Sequence, residues 1–168
     1  TMSVSVKPAV ARSRRTVGQS IIETVVGIIF LIPIVLFLFD VAVLVLSNTA
    51  NDNLAKSAAR AAASATDGSG KGDGDEAEKA AKSIANNFAE SPLIKKSDGT
   101  DFVTGFHWNG GTGNKSVTGG EAITPAPGDG QVAVITTMRV FLPVPFPFLP
   151  EKQDFKAKAV EPIVSISP

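Results

Sequence analysis

The residues best suited to metal binding lie in a glycine-rich acidic stretch, DGSGKGDGD, at 67–75. Its oxygen-bearing side chains and a glutamate just beyond it fall at the ligand positions of an EF-hand-like loop: Asp67, Ser69, Asp73, Asp75 and Glu78. Lys71, however, occupies a place in that spacing where calcium requires another oxygen. A flexible, solvated linker explains the same composition. The sequence favours the linker, and no cofactor is expected.

Two other features match catalytic or binding motifs only in part. NGGTGNKS (109–116) has the spacing of a phosphate-binding P-loop, but asparagines replace both required glycines and no helix pattern follows. We expect a hairpin or a surface loop there. His107 is the only histidine and the chain has no cysteine, so neither a metal partner nor a nucleophile–base pair can be defended. The sequence therefore does not predict an enzyme.

The distribution of charge separates a basic tip from an acidic body. Lysine plus arginine and aspartate plus glutamate number 16 each. Four of the bases (Lys7, Arg12, Arg14 and Arg15) precede Gly18, and no acid does. The mildly acidic remainder offers little to a nucleic acid, which we exclude as a partner. The length of 168 residues fits one domain, or one membrane segment with a small domain.

An apolar run from 24 to 46 determines the broad class. It holds a single charge, Asp40, and a single proline, Pro33. As a helix it would be about 34 Å long, enough to cross the hydrocarbon core of a bilayer. It is too long for the core of a cleaved secretory signal. The basic leader predicts a cytoplasmic N-terminus, with the chain beyond about residue 47 on the other side of the membrane.

The helix is expected to continue past the membrane through SNTANDNLAKSAARAAASAT (47–66). This segment is rich in alanine and has neither proline nor glycine. Leu54, Ala58, Ala61 and Ala65 fall on one face. That face is either part of a solvated extension or a seam of small residues that lets a second helix approach closely. We favour the seam.

The remainder predicts a small α+β domain. DEAEKAAKSIANNFAE (75–90) is an amphipathic helix with Ala77, Ala81, Ile84 and Phe88 on its apolar face. Three segments alternate as half-buried strands do: 101–108, 131–142 and 154–166. A single polar face on these strands indicates an antiparallel sheet packed on the helix. The segments 109–130 and 143–150 are expected to be loops rich in glycine or proline.

The second of these loops, PVPFPFLP (143–150), has four prolines that favour polyproline II. Its aromatic residues either fold back onto the sheet from a rigid connection or form an apolar surface patch for a partner or the membrane. The sequence favours the rigid connection.

The stretch RRTVGQSIIETVV (14–26) resembles the processing site of type IV pilin-like precursors. Together with the membrane helix and its alanine-rich exit, it resembles more narrowly the TadE-like pseudopilins of the tight-adherence (Tad) pilus system. The resemblance is specific over roughly 14–65 and loose beyond. Thr24 departs from the aromatic residue that commonly follows the glutamate in this family.

This resemblance implies that a prepilin peptidase cleaves after Gly18, five residues before Glu23, and leaves Gln19 as the new N-terminus. Pro33, Asp40 and Arg60 stand where the family has a mid-helix proline, a late membrane acid and an arginine at the exit. It further implies a non-enzymatic minor subunit that initiates, caps or builds the filament. Its partners would be other pilin and pseudopilin subunits, contacted through the N-terminal helix.

The physical chemistry of the leader agrees with that implication. Cleavage would create a positive amine at Gln19, and a neighbour's amine would compensate the Glu23 carboxylate, which is costly alone in a membrane. Alternatively, Glu23 lies at headgroup level and reaches water, Arg14 or Arg15. Asp40 likewise either reaches the outer interface or needs a polar partner in the assembly.

The expected organisation is therefore a leader (1–18), a transmembrane and stalk helix (19–66), a linker (67–75) and an extracytoplasmic α+β domain (76–168). The expected location is the bacterial inner membrane, with incorporation into an extracellular pilus. Two alternatives remain: an uncleaved single-pass protein with an extracytoplasmic recognition domain, and a filament-tip adhesin.

Overall fold

A computed structural model describes residues 15–65, 74–97, 101–110, 113–118, 128–144 and 150–163. Two helices and five strands follow in the order α1 (Arg15–Ser64), α2 (Gly74–Asn86), β1 (Ile94–Lys96), β2 (Val103–Gly110), β3 (Gly113–Thr118), β4 (Gln131–Phe141) and β5 (Lys152–Pro162). The predicted α+β class, with a long N-terminal helix, a short helix and an antiparallel sheet, is confirmed. Contacts divide the chain into two compact units, Thr1–Leu38 and Phe39–Pro168.

The first unit contains the N-terminal part of α1, which is apolar and exposed. α1 is long and apolar enough to cross a bilayer, and only 6% of its most apolar 18-residue window is buried. A core helix of a soluble protein would be mostly buried, so this part of α1 suggests a membrane anchor. Pro33 lies inside the helix and donates no amide hydrogen to the preceding turn. The helix assignment nevertheless continues through it.

The second unit is a two-layer sandwich built on β4. β5 pairs with β4 along the whole strand, antiparallel, from Gln131↔Pro162 to Phe141↔Lys152. The other edge of β4 is shared, because β2 pairs with its first half and β1 with its last residues. β3 completes the sheet as the hairpin partner of β2. All of these pairings are antiparallel, as predicted.

Both helices contribute small residues to the core, and the sheet contributes large ones. α1 buries Leu54 and a run of alanines, and α2 buries alanines at every fourth position. The facing residues of the sheet include Phe106, Trp108 and Met138. Because alanine side chains are short, the helices can lie close to the sheet while its aromatic rings fill the space between the layers.

The predicted seam on α1 has a different role from the one expected. Leu54 and Ala58 are buried within the chain's own core, together with Ala55, Ala59 and Ala62. The small residues thus allow close approach of the sheet in the same chain. Ala58 is fully buried in this core, so its interpretation as a contact for a second helix is wrong, whereas Leu54 also lines a groove between α1 and α2.

Several boundaries also differ from the predictions. α2 ends at Asn86 instead of continuing to 90, and its third buried alanine is Ala85, whereas Ile84 is 37% exposed. β1 and β3 were not predicted as strands. β3 arises because NGGTGNKS forms a hairpin, with Asn109 opposite Asn114 and Gly110 opposite Gly113. The hairpin interpretation of this segment is therefore confirmed. The loop prediction is wrong for 109–110 and 113–118, whereas 111–112 and 119–127 lie outside the described residues.

Candidate functional site

The predicted processing site lies at the start of α1. Gly18 and Gln19 are helical, within Arg15–Ser64. Glu23 follows little more than one turn later, and its side chain is exposed among the exposed apolar residues Ile21, Ile22 and Val25. An exposed carboxylate in such surroundings is costly in a membrane unless it meets water or a cation. Arg14, one of the predicted partners, lies outside the described residues.

Asp40 is the most unusual polar residue of α1. Its side chain is fully buried, and neither carboxylate oxygen has a hydrogen-bond partner among the described residues. The prediction that Asp40 reaches the outer interface does not fit this burial. The second prediction, that an inaccessible Asp40 needs a polar partner from an assembly, stays a prediction. Since no described residue compensates the burial of this carboxyl group, the arrangement opposes folding.

One helical stripe contains both Asp40 and the polar contacts that attach α1 to the sheet. Ser47 and Asn51 follow Asp40 at i+7 and i+11, and both are buried. Asn51 donates from Nδ2 to the Phe155 carbonyl at 2.9 Å, and its Oδ1 accepts from Thr136 Oγ1 at 2.8 Å. One side chain therefore fixes α1 against β4 and β5. No motif in the sequence identifies Asn51 as a contact residue, although it precedes Leu54, Ala55 and Ala58 at helical spacing.

Arg60 forms a surface contact between α1 and the edge strand. Its Nε lies 3.3 Å from Oε1 of Glu161 on β5, and the two side chains are 73% and 27% exposed. An ion pair this exposed contributes less than about 1 kcal/mol. Arg60 therefore has a partner inside its own domain. Its role in assembly, which the resemblance implies, stays a prediction.

The calcium candidates are only partly described. Asp67, Ser69 and Asp73 lie outside the described residues. Asp75 and Glu78 lie in the first turns of α2, where Glu78 accepts from Lys82 at 2.6 Å. In the part of the chain that the structure describes, no three histidine, cysteine or acidic residues group as a metal site.

The outer face of the sheet carries a polar cluster that spans three strands. Arg139 on β4 donates from Nε and Nη2 to the two carboxylate oxygens of Asp154 on β5, at 2.7 and 2.8 Å. Ser97, directly after β1, donates to Asp154 Oδ2 at 3.3 Å. The hydrogen bond from Arg139, helped by its charge, holds the pKa of Asp154 below its ordinary value although partial burial opposes the shift.

Two ring nitrogens on β2 are buried. His107 Nε2 and Trp108 Nε1 belong to opposite faces of the strand, and neither has a hydrogen-bond partner in the part of the chain that the structure describes. Trp108 lies in the core, as the alternation predicted, and His107 is half-buried on the other face. The sequence around His107 and Trp108 contains no nucleophile–base pair that would make either ring part of a catalytic site.

The proline-rich loop follows β4 directly. Pro143, Val144 and Pro150 are described, whereas 145–149, which include its aromatic residues, lie outside the described residues. Both interpretations of this loop therefore stay predictions.

A shallow groove separates the two helices. It has about 480 Å³ of free space, room for several large side chains. Its lining residues come from one face of α1 and from the C-terminal end of α2: Ala50, Asn53, Leu54, Ser57, Ile84, Asn87 and Phe88.

Comparison with known proteins adds no family assignment. No protein-family model matches the chain, and no curated protein or solved structure is significantly similar to it.

Proposed function

We propose that this chain is a membrane-anchored, pilin-like subunit of a Tad-type filament, similar to the TadE-like pseudopilins. The observation that carries the proposal is the form of α1. Its large apolar residues from Ile21 to Leu46 are exposed apart from the half-buried Val43 and Leu44. A lone exposed carboxylate at Glu23 lies near the start of α1, and its other end belongs to the folded domain. A helix of this kind needs lipid before assembly and neighbouring helices after it.

The proposal assigns linked roles to Gly18, Gln19 and Glu23. A prepilin peptidase would cut after Gly18 and remove the basic leader. The new amine at Gln19 would then pair with the Glu23 carboxylate of an adjacent subunit and set the axial position of neighbouring helices. The N-terminus would be cytoplasmic before cleavage, and the α+β domain would lie outside the inner membrane.

Asp40 supports the same proposal in a different way. A buried carboxyl without a partner works against folding, so its presence favours a role outside folding. In the proposed filament, Asp40 would contribute to assembly once the domain meets its neighbours. No reaction is proposed, and the subunit acts structurally.

N-terminal sequencing of the protein from its own host tests the processing step. We expect a mature chain that begins at Gln19, and a Gly18→Leu variant that keeps its leader. An intact leader in the wild-type protein would favour the uncleaved membrane anchor with a recognition domain.

Glu23 tests the assembly step. Glu23→Gln keeps the size of the side chain and removes its charge, so membrane insertion and processing should continue while incorporation into filaments falls about tenfold or more. Glu23→Asp, which retains the charge, is the matched control. Immunogold labelling of sheared filaments distinguishes a shaft subunit from a tip adhesin. Normal filament incorporation of Glu23→Gln would contradict the proposed register role.

A further inference from the structure

The end of the second unit that faces the membrane can be identified from its own part of α1. The helix enters this unit at Phe39, directly after its apolar N-terminal part. Within the unit, exposed apolar side chains continue on α1 as far as Leu46, which is 70% exposed. Because such side chains are costly in water, the membrane surface lies beside this end of the unit.

Two contacts show which end of the sheet lies on the same side. Asn51 on α1 accepts a hydrogen bond from Thr136 on β4. Farther along α1, Arg60 meets Glu161, and Glu161 lies opposite Val132 in the sheet. α1 therefore runs antiparallel to β4, and the C-terminal end of β4 points toward the membrane.

The last residue of β4 is level with the first residues of α1 in this unit. Going back from Asn51 to Asp40 covers about 16 Å of helix, and going forward from Thr136 to Phe141 covers about 16 Å of strand. The complete burial of Asp40 agrees, because it shows that the domain covers α1 at this level. Phe141 therefore lies about 9 Å closer to the membrane than the exposed Leu46 does.

Two lysines flank Phe141 at this end of the sheet. Lys95 on β1 places its Nζ 5.4 Å from the centre of the Phe141 ring. Lys152, the first residue of β5, is the direct partner of Phe141 in the sheet. Both lysines are exposed. Lysine side chains of this kind lay their apolar stems along an apolar surface and extend their charged ends to polar headgroups.

The same face of the sheet is basic along its length. Side chains alternate along each strand, and the registers therefore place five described bases on the outer face of β1, β4 and β5: Lys95, Arg139, Lys152, Lys156 and Lys158. Asp154 is the one described acid on this part of the face, and Arg139 holds it at 2.7 Å. Glu151 falls on the opposite face by the same alternation. The positive face attracts anions, and it reaches the membrane surface at Lys95 and Lys152.

We propose that Lys95 and Lys152 bind the headgroups of anionic phospholipids in the leaflet next to the domain, with Phe141 between them at the interface. The contact would hold the end of the sheet against the membrane and restrict tilting of the domain. It requires only the membrane anchor and no filament, so it goes beyond the proposed function. An unprocessed leader, or filaments that do not need Glu23, would leave it unaffected.

The absence of cysteine in the sequence allows one thiol to report on the surrounding lipid. Gln153→Cys, exposed beside Lys152, carries a fluorescent dye in the full-length protein, reconstituted into phosphatidylcholine vesicles. The quencher is a trace of phosphatidylglycerol or of phosphatidylcholine, each with a nitroxide high on one acyl chain. Both leaflets have the same composition, so either orientation of the protein reports the same contact. Val160→Cys, about 23 Å farther along β5, is the control position.

We expect phosphatidylglycerol to quench the dye at position 153 about fivefold more effectively than phosphatidylcholine does, or more, and neither lipid to quench at position 160. In 1 M salt, where electrostatic screening acts over about 3 Å, the preference should weaken. The double variant Lys95→Gln/Lys152→Gln should lose it, whereas Lys95→Arg/Lys152→Arg should keep it.

The matched control is Lys56→Gln/Lys79→Gln, which removes two exposed lysines from the helices and should keep the preference. Thermal unfolding of each double variant checks that the domain still folds. Equal quenching by the two lipids, a preference that survives Lys95→Gln/Lys152→Gln, or no quenching at position 153 would overturn the proposal. A thiol at position 153 that meets no lipid but cross-links to an acidic protein in native membranes would assign the two lysines to a protein partner.

Discussion

Asn51 on α1 and Thr136 on β4 share a fully buried hydrogen bond, with Thr136 Oγ1 donating to Asn51 Oδ1 at 2.8 Å. The Asn51 amide also donates to the Phe155 carbonyl on β5. Farther along the helix, Arg60 meets Glu161, which pairs with Val132. α1 therefore runs antiparallel to β4, and Asn51 fixes its position along both strands.

Asn51→Ala should lower the free energy of unfolding by about 1–3 kcal/mol, because Thr136 Oγ1 and the Phe155 carbonyl lose their buried partner. Denaturant unfolding of the full chain in detergent measures this. Asn48→Ala, an exposed asparagine on the same helix, should change stability by less than about 0.5 kcal/mol. When Asn51→Ala is combined with Thr136→Val, the loss in the free energy of unfolding should be smaller than the sum of the losses in the two single variants. Additive effects would contradict the pairing.

Apolar residues that recur every second position in strands and every 3.6 positions in helices allowed much of this fold to be predicted. The alternation in 131–142 identified β4 and one of its buried sides, although Ala133, Ile135 and Thr137 on its other side, predicted to be polar, are buried as well. Ala157 and Ala159 are buried between exposed lysines on β5 as expected. The apolar run before residue 47 identified the exposed part of α1. These elements have strong periodicity because each presents one face to a single environment.

The contacts that join distant parts of the chain could not be predicted in the same way. Asn51 and Thr136 are 85 positions apart, and no local pattern identifies one as the partner of the other. β3 has too few apolar residues to show strand periodicity, so it forms through its hairpin with β2. The groove could not be predicted either, because it depends on how α1 and α2 are placed relative to each other, and their packing on the sheet determines that placement.

Gly110 is required by the ring of Trp108 two residues earlier. A Cβ at Gly110 would lie 2.2 Å from Trp108 Cζ2, which is far inside contact distance. Gly110→Ala should therefore displace the ring from the core and cost about 1–3 kcal/mol. Gly128→Ala is the control, since its new Cβ would meet only Gln131 at 3.5 Å. Tryptophan fluorescence during unfolding reports both effects, and an unshifted midpoint for Gly110→Ala would contradict the steric argument.

The pair Arg139–Asp154 should make stability depend on pH in the acid range. The pKa of Asp154 is lowered in the folded chain, chiefly by the hydrogen bond from Arg139. The stabilisation of the folded chain by the Asp154 carboxylate is therefore fully present above about pH 3.9, the pKa of this group in the unfolded chain. It is lost as the pH falls through the lower pKa that Asp154 has in the folded chain. Asp154→Asn should lower the melting temperature at about pH 6 and approach the wild type at about pH 2. A difference that stays constant with pH would contradict this assignment.

Asp40 lies in the stripe that attaches α1 to the sheet, yet among the described residues neither of its oxygens has a partner. Asp40→Asn retains the shape and removes the buried acidic group, so it should raise the free energy of unfolding by about 1–3 kcal/mol. Asp52→Asn, an exposed acid on the same helix, should leave stability within about 0.5 kcal/mol of the wild type. If Asp40 serves assembly, the stabilised variant should also enter filaments less efficiently. Thermal unfolding and quantitative immunoblotting of sheared filaments measure the two effects separately, and a variant that is less stable than the wild type would show that the carboxyl group contributes to the fold.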